Sequence, residues 1–337
     1  MRAIYTNLKK MKNINKIKIG IMGYGNIGRG VELSIKQNPD IEPIAIFTRR
    51  SPSELACKFP VFHISKIKDF IGKIDVMILC GGSSTDLPEQ GPEISKYFNT
   101  VDSFDTHAKI PEYFEKVDRS SRDNKTLSLI SAGWDPGLFS LIRLLGQVVL
   151  PEGETYTFWG KGISQGHSDA IRRVPGVKNG IQYTVPDESI LNEVRTGGNP
   201  ELKSSDMHTR VCYVVPEKGA DLNEIETRIK TMPNYFKDFN TIVNFISEEE
   251  LKTKHSGMPH GGIVIRTGLT ASSRKHKIEF MVNLESNPEF TANILVAYAR
   301  AVARLSKEGR FGALTVFDIP FGYLSPESPE ELRRKLL

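Results

Sequence analysis

Short apolar runs alternate with amphipathic stretches through the first 130 residues. Ile17 to Met22 (IKIGIM) predicts a strand, and Ile27 to Gln37 a helix. Pro43 to Phe47 (PIAIF) and Asp75 to Cys80 (DVMILC) predict further strands. Asp86-Leu87-Pro88-Glu89 has the pattern of a helix start, an acid at the cap and proline in the first turn. Thr100 to Phe104 and Leu127 to Ile130 complete the strand series. Strands alternating with helices specify an α/β fold, a Rossmann-type parallel sheet doubly wound by helices.

The pattern changes at Trp134. Asp135-Pro136-Gly137 ends the alternation and a glycine-rich stretch, WGKGISQGH, occupies Trp159 to His167. Four β-rich segments follow: Arg210 to Val215, Thr241 to Ile246, Ile263 to Ile265 and Lys277 to Leu284. Little helix is predicted among them beyond Asp221 to Met232, which implies a second, mixed α+β domain. A last long helix starts at Asn287-Pro288-Glu289 and aligns Thr291, Leu295, Tyr298, Val302 and Leu305 on one face.

Composition excludes several classes. The chain of 337 residues is 39% hydrophobic and 25% charged, so it is neither disordered nor fibrous, and it is long enough for two domains. Its apolar runs are too short to cross a bilayer, which argues against membrane insertion. The net charge of +5 is spread among nearly as many acids. That suits an anionic small ligand better than nucleic acid. Cys57, Cys80 and Cys212 are odd in number and fit no metal spacing, and they read as reduced thiols of a cytoplasmic protein. The seven histidines lack paired spacing, so no metal is expected. Residues 1–16 form a basic tail without a secretory core, and Met11 is a second candidate start.

Gly23-Tyr24-Gly25-Asn26-Ile27-Gly28 is a G-x-G-x-x-G pattern between a strand and a helix, the context that marks a dinucleotide site. Its glycines permit a tight turn, close approach of a pyrophosphate and close helix–strand packing. About twenty residues on, where an NAD enzyme places an acid for the ribose, stand Thr48-Arg49-Arg50. A hydroxyl and two guanidiniums suit a 2′-phosphate, which selects NADP as cofactor. Loops after later strands line the same crevice. One carries Cys80, Gly81, Gly82, Ser83 and Thr85, and the other Asp105. Each also reads as ordinary loop chemistry.

GYGNIGR, IFTRR, STDLPEQ, FDTH, GWDPG, FWGKGISQGHSD, RRVPGVKNGIQYT, TMPNYF, GMPHGG and SNPEFTA, in this order, resemble the meso-diaminopimelate dehydrogenase family. The likeness runs from Ile17 to Phe321-Gly322-Tyr323-Leu324-Ser325-Pro326. It implies NADP-dependent oxidation of the D-centre of meso-diaminopimelate to L-2-amino-6-oxopimelate and ammonia, and a homodimer. A dinucleotide-binding domain over 17–133, completed by 287–337, and a substrate-binding and dimerisation domain over 134–286 follow from it.

A reacting amine needs acceptors, and Asp105 and Asp135 each follow a predicted strand. A helix cap and a turn acid are the plainer readings of the two. The resemblance implies that they hold the D-centre amine, with Trp134 and the backbone of Gln165 and Gly166 around its carboxylate. Trp159 then walls the pocket beside the nicotinamide. At the distal end the resemblance implies a carboxylate clamp of Thr184, Arg210 and His260, with Asn287 near the distal amine. The residues alone leave His260 as a structural histidine and Asn287 as a helix cap. Two other readings remain open: a different NADP-dependent amino- or oxo-acid reductase, and a non-catalytic NADP sensor.

Overall fold

Ile17, Ile19 and Ile21 point to one face of a sheet and Met22 to the other, as the period of two requires. The computed structural model describes residues 16–337, so the basic tail and Met11 lie outside the described residues apart from Lys16. The described residues form two units, 16–141 with 288–337 and 142–287. Residues 134–141 thus group with the first unit.

In chain order the first unit begins with β1 (Ile17–Met22), α1 (Asn26–Ile35), β2 (Ile41–Thr48), β3 (Val61–His63) and β4 (Val76–Leu79). It continues with α2 (Leu87–Ile94), β5 (Asn99–Asp102), α3 (Ile110–Asn124), β6 (Leu127–Leu129) and α4 (Leu138–Val149), which leads into the second unit. There follow β7 (Glu152–Trp159), β8 (Gly162–Ile163), α5 (Gln165–Arg172), β9 (Val177–Pro186) and α6 (Glu188–Arg195). Next are β10 (His208–Pro216), α7 (Leu222–Lys230), β11 (Asn240–Phe245), α8 (Glu248–Lys254), β12 (His260–Leu269) and β13 (Lys275–Leu284). The chain returns to the first unit with α9 (Asn287–Lys307), β14 (Gly312–Leu314) and α10 (Pro329–Leu336).

The first unit is a seven-stranded sheet of order β14-β6-β5-β4-β1-β2-β3, every pair parallel. Both faces are covered by apolar clusters, as a parallel sheet requires. Within α9, Thr291, Leu295, Tyr298, Val302 and Leu305 are buried, the face that the spacing indicates. Gly30 of α1 packs against it so closely that a methyl there would stand 2.8 Å from Ala292 Cβ. Arg300, 2% exposed, anchors this helix. Its Nε and Nη2 donate to the two oxygens of Asp40 at 2.6 and 2.9 Å, and its Nη1 to Leu324 O at 2.7 Å. The C-terminal segment is therefore part of the first unit's core.

The second unit holds a mixed sheet, β11-β10-β9-β8, and an antiparallel sheet, β13-β12-β7. It contains more helix than the sequence reading expects, since α5, α6 and α8 lie among the strands. Each is capped by its preceding residue, Ser164, Asp187 and Ser247, whose side chain accepts a backbone N–H of the first turn. Among the described residues no helix is long and apolar enough to cross a membrane.

Candidate active site

The first unit builds a nucleotide cradle at the C-terminal ends of β1, β2 and β4. Gly28 is required by the protein itself, because a Cβ there would stand 2.2 Å from Gly23 O. Gly25 is different, because a Cβ there would meet no protein atom within 4 Å. The bare backbone at Gly25 therefore leaves room for something other than the chain. A cavity of about 370 Å³ opens there, bounded by Gly23, Tyr24 and Gly25, by Thr48, Arg49 and Arg50, and by Cys80, Gly81 and Gly82. Asn26 and Ile27 open α1, whose N-terminus supplies the positive end of the helix dipole.

Thr48 is buried, and its Oγ1 accepts the Arg50 amide at 3.1 Å. Arg50 Nη2 donates to Tyr24 O at 2.5 Å, which ties the basic pair to the glycine turn. Arg49 is 70% exposed and reaches Asp86 Oδ1 at 2.8 Å. Asp86 occupies the cap position of α2 but makes no cap bond there. Its Oδ2 instead accepts the Gly82 amide at 3.0 Å and the Thr85 hydroxyl at 3.3 Å, which shapes the β4 loop. These donors fit a 2′-phosphorylated dinucleotide: two guanidiniums at the end of β2, and no carboxylate from that strand end where a ribose acid would stand.

Asp105 is exposed on the loop after β5, and its amide donates to Ser83 Oγ at 2.7 Å. The β4 and β5 loops are thereby joined. Asp135, half-buried, lies in a tight turn after β6 in which the Gly133 amide donates to Pro136 O at 2.8 Å and Leu138 N to Gly133 O at 3.0 Å. Trp134 beside it is buried edge-on against Phe139.

The second unit gathers the other predicted residues. Thr184 and Arg210 face each other in the β9–β10 ladder, and Arg210 Nη1 donates to Thr184 Oγ1. The guanidinium stacks over Phe239 at 4.1 Å, and its Nε is buried without a partner. Among the described residues no carboxylate pairs with it. Burial pulls its pKa down to about 10. This is a cation prepared for an anion that the chain does not supply. Gly162 pairs with Thr184 and lies against His260, since a Cβ there would stand 2.4 Å from the ring Cγ. The Asn287 amide donates to Met258 O at 3.0 Å, two residues before His260. Gln165 and Gly166 are exposed at the N-terminus of α5, and nothing lies within 4 Å of where a Gly166 Cβ would be.

One contributor escaped the sequence reading. His208, 2% exposed, accepts the Trp159 amide at its Nε2 (2.8 Å), and its Nδ1 lies 2.8 Å from Ser204 O. Nδ1 therefore carries the proton, and the ring is neutral and fixed. Its ring stacks on Trp159 with centroids 5.2 Å apart, so it sets the indole's position. Burial, with Arg210 adding to it, pushes its pKa down to about 4. The signal was present: on a strand, His208 shares a face with Arg210.

The described residues contain no cluster of metal-ligating side chains. Residues 133–286 match the model of the diaminopimelic acid dehydrogenase C-terminal domain. Meso-diaminopimelate D-dehydrogenase of Ureibacillus thermosphaericus is 62% identical, covering 96% of this chain and all of its own. A crystal structure of a six-fold substituted meso-DAP dehydrogenase from Clostridium tetani E88 with DAP is 59% identical. It superposes with a TM-score of 0.92 over 96% of this chain and all of that one. An engineered D-amino acid dehydrogenase bound to NADP+ is 40% identical, with a TM-score of 0.86 over the same shares. A relative this similar over nearly the whole of both chains leaves one assignment: this chain belongs to the meso-diaminopimelate dehydrogenase family.

Proposed function

We propose that the chain catalyses the reversible NADP-dependent oxidative deamination of the D-centre of meso-2,6-diaminopimelate. The balanced reaction takes the diacid, NADP+ and water to L-2-amino-6-oxopimelate, ammonium, NADPH and a proton. Bound in the cradle of the first unit, NADP supplies the hydride acceptor. The observation that carries the reading is Arg210, whose half-buried guanidinium has an unpartnered Nε and, among the described residues, no acid paired with it. A binding site for a simple amino acid has no use for such a group, whereas a second carboxylate completes it.

Asp105 and Asp135 accept hydrogen bonds from the D-centre ammonium, and one of them takes a proton as the nitrogen lone pair is freed. Trp134 contributes to substrate binding from the first unit, and in the second the first amides of α5, at Gln165 and Gly166, offer a helix N-terminus as a carboxylate site. Trp159, positioned by His208, excludes water from the reacting carbon until oxidation is complete. Arg210, Thr184 and His260 grip the distal carboxylate and Asn287 its amine. Because only one end finds the two aspartates, the site distinguishes two similar ends.

The enzyme works as a homodimer. Leu144, Leu145, Val148 and Val149 of α4 are 42–65% exposed and lie on one face, while Gly146 packs against Arg266 of β12. Such a stripe supports burial against a second copy. Sedimentation should give twice the chain mass for the native protein and a smaller species for Leu145→Asp. The catalytic test mixes the enzyme with NADP and each diaminopimelate stereoisomer and follows the reduced-nicotinamide absorbance. Turnover of the meso form and none of the L,L form is expected. No turnover of the meso form would overturn the assignment.

A further inference from the structure

Asp102 ends β5 and is 1% exposed. Its Oδ1 accepts two backbone amides, Phe104 N at 2.9 Å and Ser131 N at 3.0 Å. Its Oδ2 accepts the Tyr113 hydroxyl at 2.7 Å. Phe104 immediately precedes Asp105, and Ser131 opens the turn that leads to Trp134 and Asp135. A further bond joins the same two loops, from Ala132 N to Asp102 O at 2.8 Å.

The surroundings keep this group in place. Tyr113 stacks on Phe104 with centroids 4.2 Å apart, and its hydroxyl abuts Gly91 of α2, where a methyl would stand 2.0 Å away. Ser131 has φ +58, a conformation that non-glycine residues adopt at a cost and that persists only where the surroundings hold it. The bond from Ser131 N to Asp102 is one such constraint. All three side-chain partners are donors, so the site is matched to an acceptor-only carboxylate. Burial pushes its pKa up to about 6 even though the three hydrogen bonds act against that rise.

We infer that Asp102 is a positioning residue for the reaction: one buried carboxylate holds the β5 and β6 loops in register, so that Asp105 and Asp135 converge on the same amine. This rests on the assignment of those two acids to the amine. A purely structural aspartate would affect folding alone, whereas a clamp on both loops affects turnover in the folded enzyme.

The test compares Asp102→Ala, Asp102→Asn and Tyr113→Phe with the parent for folding, kcat, KM and NADP affinity by fluorescence. Asparagine keeps an oxygen for the two amides, and its nitrogen can donate to a Tyr113 hydroxyl turned to accept. The Asn variant should stay within about fivefold of parental kcat, while Ala loses about 100-fold, the scale of a 1 Å misplacement. NADP affinity should change by less than about threefold in either, because the glycine turn and the Thr48-Arg49-Arg50 segment that bound the cradle follow β1 and β2 and make no bond to Asp102. If the Ala variant does not fold, Tyr113→Phe decides, with an expected fall of about threefold to tenfold in kcat at parental NADP affinity. Parental kcat in folded Ala, or in Tyr113→Phe where Ala does not fold, overturns the inference. So does an Asn variant as impaired as Ala, or a loss of NADP affinity equal to the loss of kcat. Asp105→Asn and Asp135→Asn run alongside: full turnover in both sinks the underlying assignment, whereas their loss beside an active Asp102→Ala sinks the clamp alone.

Discussion

Replacing Arg210 by methionine separates binding from folding. In the free enzyme the guanidinium is a liability, because its Nε is buried without a partner. Removing an unsatisfied buried donor returns about 1–3 kcal/mol. Against that stand the lost bond to Thr184, about 1 kcal/mol, and the lost stacking on Phe239, about 0.5–1 kcal/mol. These contributions nearly cancel, so Tm should move by less than about 3 °C. With substrate bound the balance differs. Stripping one partner from a buried charge pair costs about 2–5 kcal/mol, and partial exposure of Arg210 places it in the lower half, about 2–3. At 1.4 kcal/mol per decade that is a loss of roughly 30- to 150-fold in kcat/KM.

The loss should appear in KM with kcat spared, because the distal carboxylate is held equally before and during the reaction. Steady-state assays with meso-diaminopimelate and with a D-amino acid of equal length lacking the far carboxylate, plus a melting curve, make the measurement. The second substrate should be indifferent to the substitution. Equal losses for both substrates would refute the distal clamp, and so would a collapse of Tm.

The two glycines make opposite predictions: Gly25→Ala should leave Tm unchanged but weaken NADP at least about tenfold, since only a ligand needs that space. Gly28→Ala, forced against Gly23 O, should lower Tm in the absence of cofactor, and melting with and without NADP reads both. Arg50→Ala should raise KM for NADP by about 10- to 100-fold while leaving any activity with NAD unchanged, as a charge-assisted bond to the 2′-phosphate implies. His167 and His208 both have pKa values lowered by burial from 6.5 to about 4. Between those limits the unfolded chain takes up protons that the folded chain refuses. Stability is therefore fully present above pH 6.5 and is lost as pH falls toward 4, and the drop in Tm between pH 7.5 and 5 should shrink in His208→Asn.

The parts of the fold that rest on local periodicity were legible. β1, α1, β2 and β4 carry apolar residues at spacings of two or 3.6, and the glycine turn lies where one element passes into the next. β3 and β14 are three residues each and offer no period to detect. The short helices of the second unit were hidden differently, because each spans only about two turns with one to three apolar positions, and the cap is its clearest signal. Ser247 followed by Glu250 is such a signal, and the Ser247 side chain does accept the Glu250 amide. In the site, Thr48-Arg49-Arg50 followed from strand position, whereas Arg210 and Thr184 needed the family resemblance, since cross-strand pairing joins residues 26 apart. Asp102 had no local signature at all: its partners lie 2, 11 and 29 positions away.

The order in which the ribosome releases this chain differs from the order of its architecture. Residues 142–287 form one uninterrupted stretch, so that unit is complete as soon as it emerges. The nucleotide-binding sheet, begun first, must wait for its edge strand at Gly312–Leu314 and for the helix that brings Arg300 to Asp40. Until the final fifty residues appear, Asp40 lacks the Arg300 guanidinium and one face of the opening strands is covered only in part, by α1. Domains usually mature from the N-terminus during synthesis. Here the half started earliest is sealed last, and a nascent chain halted before residue 288 would hold a finished second unit and a sheet still bare along part of one face.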